Sequence, residues 1–139
     1  MRGVPAALLI AVLLAGCAGN KRELPPLGPV TQADLCISAS DGSKYIWKVS
    51  DPADLSRIVT FVNSHRNNWG TPWFGVPVPI VEVRLFDGQQ ARGSLGAGKD
   101  FFETQRDGGF FSQTASQSEI RSFFDALNLD DATVKEYSK

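Results

Sequence analysis

Hydrophobic and polar positions divide the chain into blocks whose period changes along its length. Leu35, Ile37 and Ala39 alternate with Cys36, Ser38 and Ser40, the period-2 signature of a half-buried strand from Asp34 to Ser40. Asp41-Gly42 supplies a turn dipeptide and Tyr45 to Val49 a second β-favouring run, so the first two elements form a β-hairpin. The period then switches. Asp51, Pro52 and Asp54 are the N-cap, first helical position and first-turn acid of a helix, in which Leu55, Ile58, Val59 and Val62 recur at i, i+3, i+4 and i+7. This helix ends near Asn63 to Arg66, where His65 and Arg66 sit at the end of the helix dipole that favours positive charge.

Alternation returns after a loop rich in Trp, Pro and Gly. Val81, Val83 and Leu85 alternate with Glu82, Arg84 and Phe86, and Asp87-Gly88 turns the chain into a partner strand around Gln90 to Leu95. Gly96-Ala97-Gly98-Lys99-Asp100 reads as a strand-connecting turn, because it lacks the spacing of a phosphate-binding loop and opens no helix. Phe101 to Gln105 and Phe110 to Thr114 form a further hairpin about Asp107-Gly108-Gly109, each strand carrying one ring on either face. Ser116-x-x-Glu119 is a capping box, and it opens a last helix with Ile120, Phe123, Phe124 and Leu127 on one stripe. The order ββαββββα predicts an α+β domain over residues 31–129: an antiparallel sheet with two helices on one face and the other face left to solvent or a partner. A polar C-terminal tail, 130–139, is expected to follow.

The first 30 residues have a different character. Arg2 precedes an apolar run from Val4 to Leu14, shorter than the roughly 20 residues needed to span a bilayer and fitting the core of a signal peptide. At its end Leu14-Ala15-Gly16-Cys17 resembles the lipobox of bacterial lipoproteins. The resemblance implies cleavage between Gly16 and Cys17, loss of residues 1–16, and a diacylglyceryl thioether on Cys17, joined in many Gram-negative species by an N-acyl chain such as palmitate. At about 0.8 kcal/mol per buried CH₂, two or three chains would hold the protein to a membrane permanently. Ala18 stands where an Asp would resemble an inner-membrane retention signal, so the same resemblance implies an outer-membrane lipoprotein facing the periplasm in a Gram-negative host, and otherwise the outer face of the cell membrane. Residues 17–30, with Pro25, Pro26, Gly28 and Pro29, read as a lipidated, extended tether that would lift the domain by up to about 40 Å at ~3.1 Å per residue. The globular part is similar to many small bacterial lipoproteins, a likeness that implies no activity.

Without residues 1–16 the chain has 13 basic against 15 acidic residues, a balance that speaks against nucleic acid as a partner. With Cys17 lipidated only Cys36 remains, so the fold must rest on packing without disulfides; in a strand, Cys36 reads as a small buried hydrophobe. One histidine, one thiol and scattered carboxylates show no metal-ligand spacing, and no cofactor is expected. A Cys36/His65 dyad would be the one route to nucleophilic catalysis, but nothing supplies an orienting third group, so no catalytic residue is assigned and the chain reads as a non-enzyme.

The most unusual stretch is 67–79, where Trp69, Trp73 and Phe74 stand among Pro72, Pro77 and Pro79. Such rings in a stiffened loop either form a preorganised recognition surface, for an envelope protein or for sugar faces of peptidoglycan, or close the open edge of the core. The leading expectation is a membrane-anchored, non-catalytic protein-binding module of the cell envelope, such as an inhibitor, immunity factor or accessory subunit, with Trp69, Trp73 and Phe74 as its binding residues. A peptidoglycan-binding module is the alternative from another class, and an envelope enzyme using Cys36 and His65 the third.

Overall fold

The period-2 pattern becomes a set of cross-strand rows. A computed structural model of the chain describes residues 21–72, 75 and 77–139. Within them lie β1 (Gln32–Ser38), β2 (Lys44–Val49), α1 (Pro52–Ser64), β3 (Val81–Asp87), β4 (Gln90–Ala97), β5 (Phe101–Arg106), β6 (Gly109–Thr114), α2 (Gln117–Ala126) and α3 (Asp131–Tyr137). The strands form one antiparallel sheet in the order β2-β1-β3-β4-β5-β6. Leu35, Val83, Leu95, Thr104 and Phe111 are successive partners in one row of the inner face. The β5–β6 hairpin turns on Asp107 and Gly108, both at positive φ (51° and 73°), as a two-residue turn matching the strand twist requires.

Both sequence-predicted helices pack on that inner face. Asp51 accepts hydrogen bonds from the Ala53 and Asp54 amides, Pro52 opens α1, and Leu55, Ile58 and Val62 are buried. At α2 the Ser116/Glu119 capping box is formed in both directions, and Ile120 and Phe123 are buried. The Phe123 and Phe102 rings meet edge to face at 5.7 Å, joining helix to sheet.

Two expectations need correction. The polar tail is not a tail along its length, because Asp130 caps the Thr133 amide at 2.7 Å and starts α3, a third helix on the inner face. What a reading of local polarity misses is tertiary: Tyr137 packs against Tyr45 and Trp47 at 4.7 and 5.1 Å between centroids.

Nor do residues 21–30 form a spacer. Arg22 pairs with Trp69 through backbone hydrogen bonds of 2.8 and 3.0 Å, and Leu24 is 2% exposed. Arginines hold this segment by its carbonyls: Arg66 Nε donates to Leu24 O at 2.8 Å and Arg106 Nη1 to Pro25 O at 3.1 Å. Leu27 N donates to the Asn63 side chain at 2.9 Å, and Leu27 and Val30 pack on the core. Burial of Leu24 and charge-assisted bonds to carbonyls outweigh the extended preference of the prolines.

Candidate functional site

Trp69, one of the three expected binding residues, belongs to the core. It is 1% exposed, its indole N–H donates to His65 O at 2.7 Å, and the next residue, Gly70, pairs with Ser112 at the β6 edge. A Trp whose ring and N–H are both satisfied inside the molecule offers nothing to a partner. Trp73 and Phe74, like Gly16 and Cys17, lie outside the described residues.

Cys36 and His65 are not brought together. Cys36 sits on the outer face of β1 in the row Cys36–Glu82–Gly96–Glu103–Ser112. His65 lies on the inner side, stacked on Phe61 at 4.1 Å with Nδ1 2.9 Å from Phe61 O. Burial pushes the Cys36 thiol above its ordinary range, with Arg84 opposing it, so the residue is a poor nucleophile at neutral pH. Among the described residues no group of three or more His, Cys, Asp or Glu side chains gathers as a metal site.

The outer face is partly roofed by the segment that leads into β3. Pro79 lies on Gly96 so closely that a Cβ there would come within 2.7 Å of the proline ring. Beneath this roof Glu82 and Glu103 reach toward each other across the side-chain-free Gly96. Glu103 is 4% exposed, and its carboxyl is pushed up to about 7, by burial first and then by the charge of Glu82 and a hydrogen bond with it. Glu82 is itself ion-paired with Arg84.

On the inner face the helices leave one hollow of about 380 Å³ beside β2. β2 turns Tyr45, Trp47 and Val49 inward and Lys44, Ile46 and Lys48 outward, and no strand pairs with its far side among the described residues. Leu35, Trp47, Ile58, Leu129 and Tyr137 give the hollow apolar walls, and Asp54, Arg57 and Glu136 stand among its polar groups. Arg57 is fixed there, donating to Ala126 O at 2.9 Å and to Asp54 at 2.7 Å. On this edge Tyr45 (44%) and Ile46 (53%) are exposed; Val78 (79%) and Ile80 (38%) are exposed where the roofing segment enters β3 between β1 and β4. An aromatic wall, fixed polar groups and an unpaired strand edge together suit an extended ligand carrying both apolar side chains and backbone hydrogen-bonding groups.

Trp47 and Tyr137 went unremarked in the sequence because one sits inside an ordinary hairpin strand and the other in an apparently polar tail. The available signal was the i, i+2 spacing of Tyr45 and Trp47, which puts two aromatics on one face of a strand. No family model, no curated protein and no solved structure matches this chain.

Proposed function

We propose that this chain is a lipid-anchored, non-catalytic binding protein of the bacterial envelope, and that it takes an extended polypeptide segment along the free edge of β2. The observation that carries the reading is that edge itself, unpaired among the described residues, with Tyr45 and Ile46 exposed on it and the hollow beside it. The anchor rests on Leu14-Ala15-Gly16-Cys17. The separation of Cys36 and His65 by the sheet supports a role without nucleophilic catalysis.

One feature favours a glycan as the second reading: Tyr45, 44% exposed, stands at the rim of an aromatic cluster with Trp47 and Tyr137, a ring against which a sugar face can stack. A single set of variants separates the two. The full lipidated chain, carrying a photo-crosslinker in place of Lys44, is captured from its own envelope and, in parallel, sedimented with purified sacculi. With a polypeptide ligand, Ile46→Lys abolishes the cross-link, because a charge on the exposed edge opposes strand addition. With a glycan, Tyr45→Ala abolishes sedimentation and Ile46→Lys does not. Retention of both activities in both variants refutes the site.

A further inference from the structure

We propose that the β6 edge of the sheet rests against the lipid surface and the β2 edge faces away from it; this rests on the reading of Cys17 as the lipid-bearing residue. Arg22 is already fixed by its pairing with Trp69, and Gly70 next to it is paired with Ser112 of β6. From Cys17 to Arg22 there are five Cα steps, and an extended chain covers at most about 18 Å in that number. The acylated residue is therefore confined to the neighbourhood of β6.

β2 lies at the opposite end of the sheet, five strand spacings away. At about 4.8 Å per spacing the two edges are about 24 Å apart. A domain leashed this briefly at one edge cannot turn its far edge to the bilayer without stretching the leash past its length.

What surrounds the attachment point suits lipid headgroups. Lys21 and Arg22 are both exposed, and the guanidinium of Arg22 is held over the Phe111 ring at 4.9 Å. Lys21, Gly70, Ser112 and Thr114 line one shallow hollow along β6, whose one acid, Glu119, is held by the α2 cap at Ser116, while the nearby Glu23 is paired with Arg66. Phe110, 43% exposed near the start of β6, adds an apolar ring of a kind found at the headgroup/acyl boundary of surface-bound elements. With Glu23 engaged by Arg66, the exposed Lys21 and Arg22 are the groups there free to meet an anionic headgroup, which biases orientation once the acyl chains supply the attachment.

The test uses the full lipidated chain in Cys36→Ser form, reconstituted into vesicles of zwitterionic and anionic phospholipid with a fraction of nitroxide-labelled headgroups. A fluorophore is attached at Thr114→Cys or at Lys48→Cys. Quenching at position 114 is expected to exceed that at 48 several-fold, and a ten-residue Gly/Ser insertion after Asn20 should erase the difference. Equal quenching in the parent, or stronger quenching at 48, overturns the orientation while leaving the anchor intact. A chain that fails to float with the vesicles overturns both the anchor and the orientation built on it.

Discussion

Replacing Glu103 by Gln should leave the protein unchanged at pH 4 and make it progressively more stable than the parent as pH rises to about 7. Glu103 is 4% exposed, lies across Gly96 from Glu82, and has one carboxyl oxygen without a hydrogen-bond partner. The charged and titratable groups of the outer face near it are Glu82 and Arg84 on β3 and Cys36 and Asp34 on β1; its β6 partner, Ser112, carries no charge, and neither does Pro79 above Gly96. Arg84 is already engaged by Glu82, so ionised Glu103 would be a second buried negative charge with no cation of its own.

The sign follows from where the proton resides. The carboxyl titrates from 4.5 in the unfolded chain to about 7 in the folded one, so the folded state holds its proton over that window. Stability from the protonated form is complete below about pH 4.5 and falls by about 1.4 kcal/mol per pH unit as pH rises to about 7, a total near 3 kcal/mol. Gln keeps the shape, carries no charge and can donate to Glu82, so Glu103→Gln should remove this slope. Urea unfolding of the full chain, followed by tryptophan fluorescence from pH 4 to 8, is the assay. The variant should coincide with the parent at pH 4 and exceed it by about 2 to 3 kcal/mol at pH 8, with the same denaturant slope. Parallel pH profiles for the two proteins would refute the protonated pair.

Other outcomes follow from the same contacts. Trp69→Ala should cost about 3 to 5 kcal/mol in chemical denaturation, as for a large aromatic removed from a core; a change under 1 kcal/mol would return Trp69 to the list of surface residues. Gly96→Ala drives a Cβ into Pro79 and should cost about 1 to 3 kcal/mol while speeding thiol modification of Cys36, read by timed alkylation. Unchanged alkylation would mean that Pro79 is not what shields the thiol. Arg66→Ala frees the Leu24 carbonyl and should open the chain between Arg22 and Gly28 to protease, whereas Arg57→Ala should not; mass spectrometry of the first cut decides. The proposed anchor, which rests on the sequence at Cys17, makes its own prediction: Cys17→Ser should abolish incorporation of labelled palmitate and release the protein from membranes.

The strands were legible because alternation is a local signal, and the inward set Leu35, Val83 and Leu95 follows from period 2 alone. The two capped helices were legible for the same reason, since Asp51 and Ser116 satisfy amides within their own first turns. What escaped depends on partners distant in sequence. Leu24 looked like one apolar residue among prolines until Arg66 and Arg106 fixed the carbonyls beside it. Trp69 was ambiguous because a loop aromatic serves a core or a partner equally well, and the pairing with Arg22 that decides it spans 47 positions. Glu82 and Glu103 meet only through the register of two hairpins, which place both opposite Gly96. The hollow beside β2 required α3, whose Tyr137 contributes to a wall begun by Trp47.

The unequal fate of the two sheet edges bears on self-association. Gly70 occupies β6 at Ser112, while β2 is left bare among the described residues. A fibril grows by strand addition only if each unit offers a fresh edge at both ends, and the Gly70 bridge interrupts β6 at its middle, so continuous strand addition is opposed there and open at β2. Such molecules would favour pairing through β2 over growth into a polymer, where a sheet open on both sides would favour growth.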